Sequence, residues 1–255
     1  DIVWTPSGDG IAISIQSTGV TLDLKTFCLS AVVSDNTKTV KGIDISNYDT
    51  VSIQNGSVKN MSYYSIWASS GANLSIQNMV IDGLSYLNTV VPNTTPCGIF
   101  VDSSVGIAIE GCTVQNINVT SSSCAGIQII KSIAGKVSNC TLNNIVNNDG
   151  AVQGYSCLFS ADINTSNCTA SNFQSHYQGL TQTTGHTVLG FIPILCYNLS
   201  YETCTATNIT GCCDDCHGMS VFINAKVSVT NFTAKNVTDG VTPKNTGAKA
   251  TGLEV

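Results

Sequence analysis

The sequence predicts an all-β fold, a chain wound as a parallel coil with three short strands in each of about eight turns. Three observations carry this expectation. First, an anchor of glycine followed by alternating apolar residues recurs at Gly42, Gly98, Gly126, Gly154, Gly190, Gly218 and Gly252, with serine in its place at Ser65; successive anchors lie 23, 33, 28, 28, 36, 28 and 34 residues apart. Second, 14 residues after the first seven anchors stand Gly56, Met79, Cys112, Cys140, Cys168, Cys204 and Phe232, and 18 residues after them Asn60, Gly83, Asn116, Asn144, Asn172, Asn208 and Asn236. Third, apolar and polar residues alternate between these positions with period two. All variation in length follows the asparagine, so a fixed unit is repeated and loops are inserted at one corner.

The three strands follow in order. The first begins at the anchor, with apolar residues at offsets one and three (Ile43 and Ile45, Ile99 and Val101, Ile127 and Ile129). The second carries them at nine and eleven (Val51 and Ile53, Leu74 and Ile76, Ile107 and Ile109), the third at sixteen and nineteen (Val58 and Met61, Val114 and Ile117, Leu142 and Ile145). Ser, Thr, Gln, Lys and Glu fill the places between, and turn residues separate the runs. A propeller blade needs four strands and ~40 residues, so a coil that rises one strand spacing, ~4.8 Å, per turn fits better.

In such a coil each offset becomes a column. Cys112, Cys140, Cys168 and Cys204 form an inward column of small, soft side chains. Neighbouring Cβ atoms would stand ~4.8 Å apart where a disulfide wants ~3.8 Å, so free buried thiols are expected there, with Cys157 also in the core. The asparagine column is expected to form a ladder in which each amide donates to the next and satisfies buried polar groups. Thr113, Thr141, Thr169, Thr205 and Thr233 point outward.

These residues resemble the right-handed parallel β-helix superfamily typified by pectate lyases and polygalacturonases, and the opening "GVTLDLKTFCLS" is similar to the first full coil of many such proteins. The resemblance spans Gly10 to Val255. It implies one β-helix domain over 1–255, a carbohydrate-active enzyme of the glycoside-hydrolase kind, and a place outside the cell or at its surface. A non-catalytic, adhesin-type surface protein and a small-molecule cyclase or isomerase are the alternatives. A start at Asp1 and an end inside "GLEV" fit a piece of a longer array.

Composition removes other classes. Charged residues make up 10% of the chain, the net charge is -6, and no arginine occurs. Without a basic patch or a guanidinium fork, nucleic acid is not an expected partner. No apolar run reaches the ~18 residues of a membrane span. The expected partner is a polysaccharide or other glycan, or an apolar small molecule. No metal and no cofactor is expected, and the oligomeric state is open.

Cys97, Cys124, Cys212, Cys213 and Cys216 precede their anchors and are expected in loops, with a Cys97–Cys124 disulfide as one arrangement. "CCDDCH" at Cys212–His217 contains the Cys-x-x-Cys-His spacing of haem attachment. A zinc reading would need His176 or His186 as further ligands. A structural disulfide or free thiols remain the plainer expectation.

The site is expected on one edge, walled by the long segments Leu84–Cys97, Phe173–Leu189 and Val237–Thr251. The outward offsets of the first strand give Asp44, Trp67, Phe100 with Asp102, Gln128 with Ile130, Leu158, Ile192 with Ile194, and Phe222. An apolar outer strip of that size needs a cover, either its own loops or a ligand. Trp67, Phe100, Asp102, Gln128, His176, His186 and Phe222 are the candidate substrate-binding residues, with Tyr63, Tyr64, Tyr86 and Tyr177 nearby. Asp214, Asp215 and His217 are the candidate catalytic group, a carboxylate pair for acid and base and an imidazole to orient or shuttle a proton. In the resemblance they would match the Asp-Asp pair and Gly-His-Gly histidine of polygalacturonases. That family, however, carries pair and histidine on separate coils and clamps substrate with an arginine and a lysine. Pectate-lyase chemistry lacks its arginine base here.

Overall fold

In the computed structural model each strand pairs with its equivalent one repeat away, and every pairing among the described residues is parallel. The structure describes residues 1–87, 95–121, 123–176, 187–211, 215–239 and 250–254. Three faces result. Face one is a nine-stranded sheet of Gly10–Ile15, Val40–Ser46, Tyr64–Ser69, Cys97–Asp102, Ser123–Ile130, Ala151–Leu158, Val188–Ile194, Cys216–Ser220 and Ala250–Glu254. Faces two and three belong to one 15-stranded sheet, because the 16-residue strand Ala72–Leu87 runs through both. Face two continues with Val105–Glu110, Ile133–Ser138, Ala161–Ser166, Tyr197–Glu202 and Ala225–Thr230; face three with Thr113–Thr120, Thr141–Asn147, Thr169–Ser175, Thr205–Gly211 and Thr233–Asp239.

Equal offsets do stack. Ile43, Ile66, Ile99, Ile127, Tyr155, Phe191 and Met219 are register partners in succession, none more than 4% exposed. Burying each such side chain contributes ~1.5–3 kcal/mol. The column turns aromatic halfway: Tyr155 and Phe191 stack with centroids 4.8 Å apart, and the Tyr155 hydroxyl donates to the Cys140 carbonyl at 2.8 Å. Met79, Cys112, Cys140, Cys168 and Cys204 are each fully buried, and all four of these cysteines are free. The outward threonines stand in register at partly or fully exposed positions.

The corners differ from the expectation in two ways. The asparagine ladder is real but exposed. Asn144 donates to Asn116, Asn208 to Asn172 and Asn236 to Asn208 at 2.7, 2.8 and 2.9 Å, while Asn172 slips to Asn143. Its backbone role is the bend itself: Asn116, Asn144, Asn172, Asn208 and Asn236 have φ of 52–58°, the left-handed region that asparagine tolerates and most residues avoid. The ladder that satisfies buried groups is a different one, at the corner leaving face one. Ser104 N–H donates to Ser132 Oγ and Ser132 N–H to Ser160 Oγ, both at 3.1 Å, and Cys196 N–H to Asn224 Oδ1 at 2.6 Å. Each of these serine hydroxyls also donates to the carbonyl two residues earlier. Since the three serines are at most 3% exposed, this closes the buried backbone of the turn.

The anchor glycine marks the third corner. The register runs Ala125 with Cys97, then Ile127 with Ile99, and passes over Gly126 and Gly98. A Cβ at Gly154 would collide with the Gly190 carbonyl and lie 2.6 Å from the Phe173 ring, so only glycine lets the chain bend this close to the core. The bend also corrects the reading of the flanking cysteines. Cys97, Cys124 and Cys216 are fully buried strand residues, and Cys97 and Cys124 are not joined, so no Cys97–Cys124 disulfide exists. Cys212 and Cys213 lie outside the described residues.

Candidate functional site

The outward residues of face one form three columns. Asp44, Trp67, Phe100, Gln128, Ser156 and Ile192 are partners in succession. Ser69, Asp102, Ile130, Leu158, Ile194 and Phe222 make a second. Lys41, Tyr64, Cys97, Ala125, Gln153, Leu189 and His217 make a third, set by the residue just before each anchor.

At the N-terminal end of this face lies a cleft of about 790 Å³. Trp67, Phe100, Gln128, Ile130 and Leu158 line its floor. Tyr63, Tyr64, Tyr86, Thr95 and the Asp9 and Thr37–Lys41 region line its walls. Of the candidate substrate-binding residues, the structure brings Trp67, Phe100 and Gln128 together here. Asp102 sits at the end of its strand, its carboxylate accepting from the Ser103 hydroxyl at 3.0 Å. Phe222 is 56% exposed and four strands from Phe100's. His176 is exposed at the end of a face-three strand, its N–H bonded to the Asn147 carbonyl. His186 and Tyr177 lie outside the described residues.

Lys41 and Asp9 were not legible as site residues. The signal that could have found Lys41 is its place one residue before Gly42, in the column that also holds Tyr64. The Lys41 ammonium stands 4.0 Å over the Trp67 ring and 3.3 Å from the Asp44 carboxylate. Phe100, from the following strand, stacks on Trp67 with centroids 4.5 Å apart and planes 16° from parallel. The strand of Lys41 precedes that of Trp67 and Phe100's follows it, so both faces of the indole are taken. The indole N–H donates to Ser69 Oγ at 3.4 Å. The in-register stack that builds the solenoid thus uses up the ring faces, and the rings meet the cleft with their edges, the electropositive part of the quadrupole.

Tyr63, Tyr64 and Tyr86 form an edge-to-face group with centroids 4.2 and 5.0 Å apart. Burial, and behind it the hydrogen bond with Tyr63, pushes the Tyr64 phenol far above its ordinary range, so it stays a neutral hydroxyl. Gln128 is 4% exposed, and its amide donates only a long 3.5 Å bond to Ser156 Oγ. Asp9 Oδ1 is held by the Thr39 N–H at 2.6 Å.

Trp67 is half-buried, but the rest of the central column is closely packed: Phe100 is 7%, Gln128 4%, Ser156 2% and Ile192 6% exposed, and the column runs on past the cleft to the C-terminal end of the face. The candidate catalytic group falls at that end. Asp214 lies outside the described residues. Asp215 is half-buried, its carbonyl accepting from the Val188 N–H at 3.2 Å. His217 is a strand residue in register with Leu189 and 2% exposed. From Phe100 to His217 is four strand spacings, ~19 Å. The structure therefore separates the aromatic group from the acid–base group along the axis. Among the described residues, no three His, Cys, Asp or Glu side chains are grouped as a metal would require.

No protein-family model matches the chain, and no curated protein matches it. Solved structures do. The mannuronan C-5 epimerase AlgE4 A-module of Azotobacter vinelandii is 13% identical, over 97% of this chain and 83% of that one, with a TM-score of 0.30. The Streptococcus pneumoniae surface protein and adhesin PfbA is 8% identical, over 99% and 91%, with a TM-score of 0.28. The endo-xylogalacturonan hydrolase of Aspergillus tubingensis is 12% identical, over 91% and 92%, with a TM-score of 0.23. No activity or residue role carries over at these values, and the parallel coil described above rests on this chain's own strand pairings.

Proposed function

We propose that the protein binds a glycan in the face-one cleft. One observation carries this reading: the lining comes from five consecutive strands, those of Lys41, Trp67, Phe100, Gln128 and Leu158. A ligand lying along the axis therefore meets a fresh rung every ~4.8 Å. That suits an extended chain of repeating units more than a globular small molecule. The lining alternates ring edges and aliphatic groups with hydroxyls, an amide and a phenol, which matches the mixed C–H and O–H surface of a sugar.

Binding without turnover is the better supported form. Asp9 is the one carboxylate among the described lining residues, whereas hydrolysis of a glycosidic bond uses two. The hydrolase reading needs His217, which is 2% exposed and lies two strand spacings, ~10 Å, beyond the strand of Leu158, the last rung of the cleft. The test is calorimetric titration of oligosaccharides into wild type and Trp67→Ala, with thermal melts as the folding control. Saturable binding lost in Trp67→Ala supports the cleft. Equal binding by both proteins rejects it. Reducing ends released by wild type but not by Asp215→Asn would restore the hydrolase.

A further inference from the structure

We infer that the glycan taken by this cleft is uncharged. The inference rests on the glycan-binding reading above and concerns only which glycans fit. The cleft offers two ammonium groups, and each has its own carboxylate. Lys41 is held 3.3 Å from Asp44, with the two side chains only 21% and 9% exposed, and its remaining side lies over Trp67. Lys38, at the rim, stands 3.9 Å from Asp35 with both side chains about half exposed, so water and salt screen its charge. A ligand carboxylate at Lys41 would have to compete with Asp44, which the Ser46 hydroxyl holds in place by donating to it at 2.6 Å.

No further cation lines the cleft among the described residues. There is no arginine, and the stretch from Leu87 to Thr95 contains no charged residue at all. The net charge of -6 repels a polyanion at long range. Asp9 adds a negative group to the rim. What remains for recognition is neutral: the under-used amide of Gln128, the phenol of Tyr64 and the ring edges of Trp67 and Phe100. The Lys41–Asp44 pair thereby acts as the specificity device, cancelling the half-buried cation that an acidic sugar would seek.

The experiment titrates wild type with neutral 1,4-linked hexose or pentose hexasaccharides and with hexuronate oligomers of equal length, at 50 and 500 mM NaCl. Neutral oligomers are expected to bind at least ~10-fold more tightly, with little change between the two salts. Asp44→Asn, which frees the Lys41 charge, is expected to raise the ratio of hexuronate to neutral affinity by ~10-fold at low salt. Its melting temperature reports whether it folds, and the wild-type salt series decides if it does not. Tighter, salt-sensitive binding of hexuronates by wild type overturns this inference and leaves the glycan site standing. Binding of neither class at millimolar concentration overturns both.

Discussion

Trp67 carries more than any other residue of the cleft. It is tied to four neighbours at once: the Lys41 ammonium, the Phe100 and Tyr64 rings and the Ser69 hydroxyl. Removing it frees a partly buried lysine beside Asp44 and opens the floor. Trp67→Ala is expected to lower glycan affinity by at least ~10-fold, ~1.4 kcal/mol, while Trp67→Phe, which keeps a ring between Lys41 and Phe100, retains most of it. Calorimetry on the two variants checks this order, and equal losses would count against the ring as the determinant. The thiols give a second expectation at this scale. Burial alone pushes Cys124 above its ordinary value of 9.0, and burial is likewise the largest cause of the rise at Cys97. Below pH 9 both are protonated folded or unfolded, and stability is at its full value. Above it the unfolded chain releases protons that the folded chain retains, so stability falls by ~1.4 kcal/mol per pH unit for each thiol. Urea midpoints measured from pH 7 to 10.5 are expected to drop beyond pH 9, with a shallower drop in Cys124→Ala.

A corner, unlike a core column, is decided by backbone conformation. Asn144 sits at φ 55° and donates to Asn116 at 2.7 Å. Asn144→Ala loses both the tolerated conformation and the ladder bond and is expected to cost ~2 kcal/mol, whereas Asn144→Gly loses only the bond and costs less. Urea midpoints rank them, and the reverse order would show that the side-chain ladder, not the bend, sets the preference. Gly154→Ala is expected to cost more, ~2–4 kcal/mol, because the added Cβ meets the Gly190 carbonyl and Phe173; Gly8→Ala, with nothing within 4 Å, is the control. These positions also show why the sequence was readable here. A stacked coil places one residue per rung in each column, so Cys112, Cys140 and Cys168 announce their contact by spacing alone. The serine ladder stayed hidden because Ser104, Ser132 and Ser160 are three among many serines, and offset six has no distinctive residue type. Cys97 and Cys124 were misread because the glycine bend puts two strand residues where alternation predicts a loop. The cleft was legible in Trp67, Phe100 and Gln128, but not the stacking that occupies the ring faces, since a sequence gives register and not ring orientation.

A solenoid is close to one-dimensional: each rung touches the rungs above and below, and effects decay along the axis. Face one illustrates this, because its two groups of functional candidates differ in environment while sharing a sheet. The cleft residues gather around the half-buried Trp67 toward the N-terminal end of the sheet, and His217 lies 2% exposed toward its C-terminal end. Trp67 and His217 stand five strand spacings, ~24 Å, apart and are expected to act additively within ~0.5 kcal/mol. His217→Gln is therefore expected to leave glycan affinity within ~2-fold of wild type, and Trp67→Ala/His217→Gln to match Trp67→Ala. His217→Gln is also expected to lower the melting temperature, since a buried polar residue in register with Leu189 is replaced by one of different shape. The double-mutant cycle, run by calorimetry and thermal melts on the same four proteins, separates the two effects. A coupling above ~1 kcal/mol in binding would mean that one ligand reaches from Trp67 to His217, so that the trough extends along the face and the acid–base group belongs to the same site after all.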